Sequence, residues 1–531
     1  MKIHFKHHLL NMVISAVLFG AVTGTLAAVV VLLYKLCAMH VIELSEKGYA
    51  ALRLHPLWIP LVLLALVGLA WICGFIYRKR PNLGGGGIPT SIGILRGLIP
   101  FKWFGNLIGI FTLSLTNFLI GVPLGNEGPA VQMGTAVGKG AAKALSKKHR
   151  AWDRYSMTGG ACAGFSVATG APISGILFSV EEAHQRLSPT ILIVSSTSVM
   201  FASIVTDLLA PILNVSTRLF PVFSLPRLTL AQVWIPMTIG IAMGLFSVLF
   251  LKYYHFIYTL FHKKLKKLNN GVKILLVFAA TLLLGLASSS FISTGHHLIL
   301  SLMDGTIILP MLILILLVRA TLTLSASSCS LTGGMFLPIL AIGTLLAAIL
   351  AECFEACGLS TEYHTVIILW GLTACIAGMM KTPLTAIVFA VEALSCYENI
   401  LFVIIVAAIP FLITEIFGAK SINDSVLERR IEKTYAGKSK RVIDTFVTVQ
   451  ADAYAIGKQV RDILWPANLF VLSTKHTPKA DAEVDEHGGM LLGEGDIIHV
   501  RYVTYHVEQT HQELEAIVGE QQFAEIDADV I

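Results

Sequence analysis

The chain has 531 residues, 55% hydrophobic and 14% charged, with a mean hydropathy of +0.75. Soluble globular proteins carry roughly 25% charged residues, so this composition excludes that class and indicates a polytopic membrane protein. The net charge of +6 conceals an asymmetry: residues 432–531 hold nine Lys and Arg against seventeen Asp and Glu, net −8, which leaves net +14 in residues 1–431. Two kinds of material join near Lys433.

In chain order, the basic opening Met1-Lys2-Ile3-His4-Phe5-Lys6-His7-His8 precedes a mostly apolar run from Leu9 to about Cys37. No small-residue cleavage site follows, so this run reads as a retained helix with its N-terminus in the cytoplasm. A second span, about Leu57–Ile76, ends in Tyr77-Arg78-Lys79-Arg80, so the chain crosses outward and returns. Lys263-Lys264-Leu265-Lys266-Lys267 and Arg429-Arg430 mark two later cytoplasmic positions by the same rule.

Three glycine-and-proline segments look like unwound backbone feeding a helix start. Pro81-Asn82-Leu83-Gly84-Gly85-Gly86-Gly87-Ile88-Pro89 is the first, and no Gly-Lys-Ser/Thr follows to make it a nucleotide loop. The second, Gly125-Asn126-Glu127-Gly128-Pro129, places a carboxylate in apolar sequence beside a proline suited to a first helical turn. A helix N-terminus holds unpaired N–H groups and a partial positive charge, so it attracts anions. Glu127 then reads as a tethered anion at an anion site, able to leave when a proton neutralises it. Gly333-Gly334-Met335-Phe336-Leu337-Pro338 is the third segment. Together they suggest a small dehydrated anion held by backbone N–H groups rather than by a buried Lys or Arg.

An internal repeat organises the rest. Gly160 through Glu181, with Pro172, reads again as Gly371 through Glu392, with Pro383, 211 positions later. Upstream, Pro129 is echoed by Pro338 at an offset of 209. Repeats of this length suggest two homologous halves with the substrate at their interface. The eight cysteines all lie in the apolar part, form no C-x-x-C, and read as small core residues; no metal site or cofactor is expected. In the tail, strands are expected at Val442–Val449, Leu469–Ser473 and Asp496–Val503, with helices at Ala451–Leu464 and Val507–Val518.

The three motifs, in this order, resemble the anion-binding motifs of the ClC family of chloride channels and proton-coupled chloride antiporters, over about residues 9–430. That resemblance implies an all-α polytopic membrane fold of two inverted-topology repeats, about 9–215 and 230–430, within a transport domain spanning 1–431. It implies a homodimer with one pore per subunit in a bacterial plasma membrane, transporting chloride and protons. Glu127 becomes the external gating glutamate and Glu182 the internal proton glutamate. Gly86, Gly87, Ile88, Met335, Phe336 and Asn423 become the anion-binding positions. Glu182 has no repeat counterpart, since Ala393 occupies the matching place.

This chain departs from the family pattern at three positions: Gly86 replaces the usual serine, Asn126 the usual basic residue, and Asn423 the usual tyrosine. These bear on anion preference and tightness of coupling, and a fluoride-selective branch also alters the serine position. The run Leu491-Leu492-Gly493-Glu494-Gly495-Asp496-Ile497-Ile498-His499-Val500 resembles a TrkA-C (RCK-C) lobe of potassium-transport regulators. It implies that residues 432–531 form a cytoplasmic α+β regulatory domain open to a small ligand. The alternatives are a passive ClC channel and an antiporter for another anion such as fluoride. No enzyme motif, potassium filter or nucleic-acid partner is indicated.

Overall fold

The computed structural model describes residues 2–145, 151–476, 484–485, 489–523 and 526–530. The first half runs α1 (Lys2–Leu54), α2 (Ile59–Lys79), α3 (Ile88–Leu95), α4 (Trp103–Ile120), α5 (Glu127–Leu145), α6 (Trp152–Thr169), α7 (Pro172–Leu177) and α8 (Pro189–Leu213). The second runs α9 (Trp234–Thr259), α10 (Asn270–Ala287), α11 (His296–Leu302), α12 (Leu309–Ser328), α13 (Phe336–Ala356), α14 (His364–Cys375), α15 (Pro383–Leu394) and α16 (Ile400–Ile416). A polar helix, α17 (Ile422–Thr434), leads into the tail. Among the described residues, ten helical stretches are long and apolar enough to cross a membrane. Their lipid-length sides expose residues such as Leu64, Ile212, Leu249 and Leu317, as a bilayer-facing surface requires.

The repeat is visible in the packing. In the first half α1 lies along α8 and α5 pairs with α6; in the second α9 lies along α16 and α13 pairs with α14. Small residues permit this closeness, because a Cβ at Gly134 would sit 2.0 Å from the Gly160 carbonyl oxygen, and one at Gly371 would sit 2.2 Å from the Ala347 Cβ. Helices in lipid associate through such backbone approach rather than through hydrophobic exclusion.

The two halves are locked together by the glutamates that the repeat preserves. Glu181 accepts hydrogen bonds from the backbone N–H of Leu384 (2.9 Å) and Thr385 (2.7 Å) and from the Thr385 hydroxyl, at the opening turn of α15. Glu392 does the same for Ile173 (2.8 Å), Ser174 (2.9 Å) and the Ser174 hydroxyl at the opening turn of α7. Each half therefore supplies the carboxylate that satisfies the orphan donors of the other half's proline-opened helix. The repeated prolines and glutamates have one joint explanation.

The tail forms a five-stranded sheet from β1 (Arg441–Thr448), β2 (Leu469–Lys475), β3 (Val484–Asp485), β4 (Ile497–Thr504) and β5 (Ile526–Val530), ordered β3-β2-β4-β1-β5. All the pairings are antiparallel. Inward residues Ile443, Val447, Ile498, Val500 and Tyr502 form its core with Leu514 and Val518 of α18 (Val507–Val518). The three expected strands and the closing helix are present, and β3 and β5 add to them.

Two expectations are corrected. Ala451–Leu464 is not a helix: it is a series of turns with one short 3₁₀ turn at Val460–Asp462. Its backbone bonds go elsewhere, since Gly457 N–H donates to Leu492 O at 2.8 Å and Leu492 N–H to Lys458 O at 3.0 Å, and Asp452 and Gly457 take positive φ. Nor are all cysteines interior, because Cys353 and Cys357 are exposed at the end of α13.

Candidate anion and proton site

The three glycine-and-proline segments converge. Gly125 and Gly334 exchange reciprocal backbone hydrogen bonds of 2.7 Å, an isolated antiparallel bridge that ties the second motif to the third. The first motif is pressed against the second: Gly87 has φ of +54°, and a Cβ there would lie 2.2 Å from the Gly128 carbonyl carbon. A Cβ on Gly128 would in turn lie 2.6 Å from the Gly334 Cα. Three backbones in mutual contact leave no space for side chains, so the glycines at 87, 128 and 334 are sterically required.

From this junction α3, α5 and α13 start with Ile88, Glu127 and Phe336 as their first residues. Pro89, Pro129 and Pro338 occupy their opening turns, where a missing N–H is harmless. Ile88, Met335 and Phe336 are buried. The unpaired first-turn N–H groups of these helices thus meet in one apolar place.

Glu127 is fully buried there. Neither of its carboxyl oxygens has a hydrogen-bond partner of good geometry among the described residues, although the amides of Glu127 and Leu337 lie close by. The carboxyl group folds back over Gly125, whose Cβ would sit 2.4 Å from Oε2. Lys35, inside the apolar stretch of α1, is held in the same half, its Nζ reaching Val167 O at 3.4 Å. Composition gave no sign of Lys35, because one lysine inside a 53-residue helix carries no motif.

Glu182 lies in a π-helical turn, Phe178–Ala183, that continues α7. Its carboxylate accepts a short hydrogen bond from the Asn423 amide at the start of α17. Arg96 braces the same turn, donating from Nη2 to Glu182 O (2.9 Å) and from Nε to Ala183 O (2.8 Å), with Asp424 Oδ1 3.6 Å from Nη1. The structure therefore brings Asn423 to Glu182. Aromatic rings link this turn to the motif junction: Phe178 stacks on Phe165 at 5.8 Å, and Phe165 meets Phe336 edge-on at 5.4 Å.

Gly86 is different from its glycine neighbours. A Cβ built there meets nothing nearer than Pro89 Cδ at 3.4 Å, and its φ is not in the left-handed region. The missing serine side chain is thus not enforced by packing. Arg430 is a second residue that sequence reading used only as a topological mark. Its guanidinium donates to Gly84 O and Thr90 Oγ1 by short bonds and to Pro81 O at 3.0 Å, clasping the first motif.

The tail rests on the segment that follows Glu182. Arg186 Nη2 donates to Ile463 O (2.8 Å), Ser188 Oγ to Asp462 O (3.3 Å), and Arg154 Nη1 to Trp465 O (2.6 Å). Tyr155 and Leu464 also exchange contacts, with the Leu464 N–H donating to the Tyr155 hydroxyl at 3.1 Å.

Fold and junction define a multi-pass membrane protein of two interlocked homologous halves, in which three helix N-termini and a buried carboxylate share one apolar centre. The chain belongs to the voltage-gated chloride channel family, whose model matches residues 69–415. It is 28% identical over 440 residues to the H(+)/Cl(-) exchange transporter ClcA of Klebsiella pneumoniae strain 342, spanning 81% of this chain and 91% of that one. A ClcA from K. pneumoniae subsp. pneumoniae matches equally, 28% over 439 residues. Among solved structures, a slow cyanobacterial Cl-/H+ antiporter superposes with a TM-score of 0.69 at 24% identity, covering 80% of this chain and 98% of that one. A CLC-type fluoride/proton antiporter superposes at 0.59 and 19% identity, covering 76% and 96%. These two structural likenesses bear on the fold.

Proposed function

We propose that this protein exchanges chloride for protons across the membrane. The observation that carries the reading is the buried, unpartnered Glu127 carboxylate at the meeting point of three helix N-termini. An ionised carboxylate buried away from bulk solvent is unstable unless the positive helix ends compensate it. A permeating chloride competes for those same ends, and a proton on Glu127 removes the carboxylate's claim to them. Anion movement and proton uptake are then alternate occupants of one place.

Backbone N–H groups at Gly86, Ile88, Met335 and Phe336 hold the anion in this reading, with Gly87, whose own N–H donates to Gly85 O at 2.9 Å, shaping the turn that presents them, while Glu182 delivers protons from the cytoplasm. Asn423 belongs to both groups by position, lying at the inner end of the anion path and bonded to Glu182. Two such subunits form a homodimer in a bacterial plasma membrane with both termini in the cytoplasm. Residues 432–531 act as a TrkA-C-like regulatory domain, and its contacts with Arg186 and Ser188 offer a short path from tail to Glu182.

The test is flux in proteoliposomes with chloride and protons recorded together. A chloride gradient should drive protons uphill. Chloride flux without proton movement would instead identify a passive channel. Truncation after Lys440 should leave anion transport with an altered rate; a folded but inactive truncated protein would overturn the regulatory role of the tail.

A further inference from the structure

Helix ends from both halves, together with α17, border a cavity of about 320 Å³ that the transport reading does not use. It lies between α17, the ends of α2, α9 and α12, and the start of α10. Four cations line it: Arg78, Arg429, Arg430 and Lys433. Among the described residues, no Asp or Glu does. Of the acidic residues of the same helix, Asp424 faces Arg96 and Ser421, Glu428 pairs with Lys420 at 2.7 Å, and Glu432 stands outside the lining but near Tyr258.

Arg429 is the informative side chain. Its guanidinium sits over the rings of Tyr254 and Tyr258, 4.4 and 3.9 Å from their centroids, and Nη2 contacts His255 Nδ1 at 2.8 Å. Among the described residues its buried Nη1 has no hydrogen-bond partner of good geometry, although the Tyr254 hydroxyl is close to the guanidinium. A buried guanidinium donor without an acceptor carries a desolvation penalty that a bound oxyanion would relieve. Lys433, one turn further along α17, lies beside it, its Nζ 2.8 Å from His262 Nε2 and 5.6 Å from the Tyr258 ring centroid. Ser327 and Ser330 also line the cavity, as does Ser328, whose hydroxyl donates to Leu324 O at 2.8 Å.

Like charges crowded in one cavity without a counter-charge repel one another, so the arrangement favours an anion. The space is much larger than a halide needs. Planar guanidinium, ammonium and hydroxyl donors together match the several oxygens of a tetrahedral phosphate. The surrounding helix ends carry the basic segments 77–80 and 263–267, at the level where lipid headgroups lie.

We propose that this cavity binds a phosphate group, held by Arg429, Lys433 and Arg78, with Tyr254 and Tyr258 fixing the Arg429 guanidinium from behind. The group comes either from an anionic lipid headgroup or from a free phosphate compound. Gly85 borders the cavity and Arg430 clasps Gly84, so the occupied site adjoins the first glycine motif directly.

The full-length protein carrying Arg429→Gln with Lys433→Gln tests this, with chloride flux and a monodisperse elution profile as checks on folding. Inorganic phosphate is titrated calorimetrically in neutral detergent at fixed ionic strength. Retention of phosphatidylglycerol over phosphatidylcholine is measured by native mass spectrometry. Either probe should bind the unaltered protein and lose at least about tenfold in affinity in the double variant. Lys47→Gln, at an exposed lysine paired with Glu43 and outside the cavity, should leave binding unchanged. Phosphate binding alone assigns a free ligand, and lipid retention assigns the headgroup. If neither probe binds the unaltered protein, or if the folded double variant binds both probes as before, the proposal is wrong.

Discussion

The two halves of the membrane domain share a fold but not a set of carboxylates. Glu181 in the first half has Glu392 as its partner in the second, and each fills the same capping role for the other. Glu127 and Glu182 have no such partners: at the repeat offsets, Phe336 stands opposite Glu127 and Ala393 opposite Glu182. Symmetry thus separates two kinds of glutamate that composition alone cannot tell apart. Those kept by both halves are fully hydrogen-bonded and hold structure together. Those kept by one half are either unpartnered, as at Glu127, or bonded to a single amide, as at Glu182. A carboxylate engaged by three donors is held in place, whereas one with fewer partners is free to move.

The largest effect expected from this contrast is at Glu127. Glu127→Gln should abolish proton movement and make anion flux insensitive to external pH, because the amide is neutral at every pH. Persistent pH-dependent exchange in liposomes would break the distinction at its first member. Glu182→Gln should abolish proton coupling while leaving anion flux, since only protons are assigned to that side chain. Uphill proton pumping that continued unchanged would move Glu182 into the structural class with its neighbour.

The symmetric pair predicts something else entirely. Glu181→Ala and Glu392→Ala should each lower stability by about 2 kcal/mol, from lost capping of α15 and α7 respectively. The two losses should be similar, as read by thermal denaturation in detergent, and the proton-to-chloride ratio of the surviving protein should hold. A large difference between the two variants would show that the halves are not equivalent at this contact. The smallest change expected is at Gly86→Ser. The backbone there admits a Cβ, so the added hydroxyl should strengthen anion binding by about 1 kcal/mol, visible by calorimetry. Weaker binding would mean that the space belongs to the ion rather than to a side chain.

Much of this was legible in the sequence because the bilayer leaves few choices. Apolar length set the spans, and the glycine-and-proline segments set the helix starts at Ile88, Glu127 and Phe336. The repeat offsets were legible, but the reciprocal bonding of Glu181 and Glu392 was not, since it depends on which half packs on which. Asn423 was expected at the anion path, and its bond to Glu182 crosses 241 residues, a separation no local pattern encodes. In the tail, Ala451–Leu464 has helical composition, yet its backbone is recruited by Leu492. Tertiary pairing outweighed local propensity there.

The reciprocal caps also carry a statement about ancestry. A contact in which segment one serves segment two, and segment two serves segment one identically, is the signature of an isologous interface between identical molecules. A progenitor half as long as the present membrane domain, carrying only the Pro-to-Glu stretch now seen at Pro172–Glu181 and Pro383–Glu392, could already have made both bonds with a second copy of itself. Fusion of two such genes would have preserved the contact unchanged, and freed the positions of Glu127 and Glu182 to diverge on one side only.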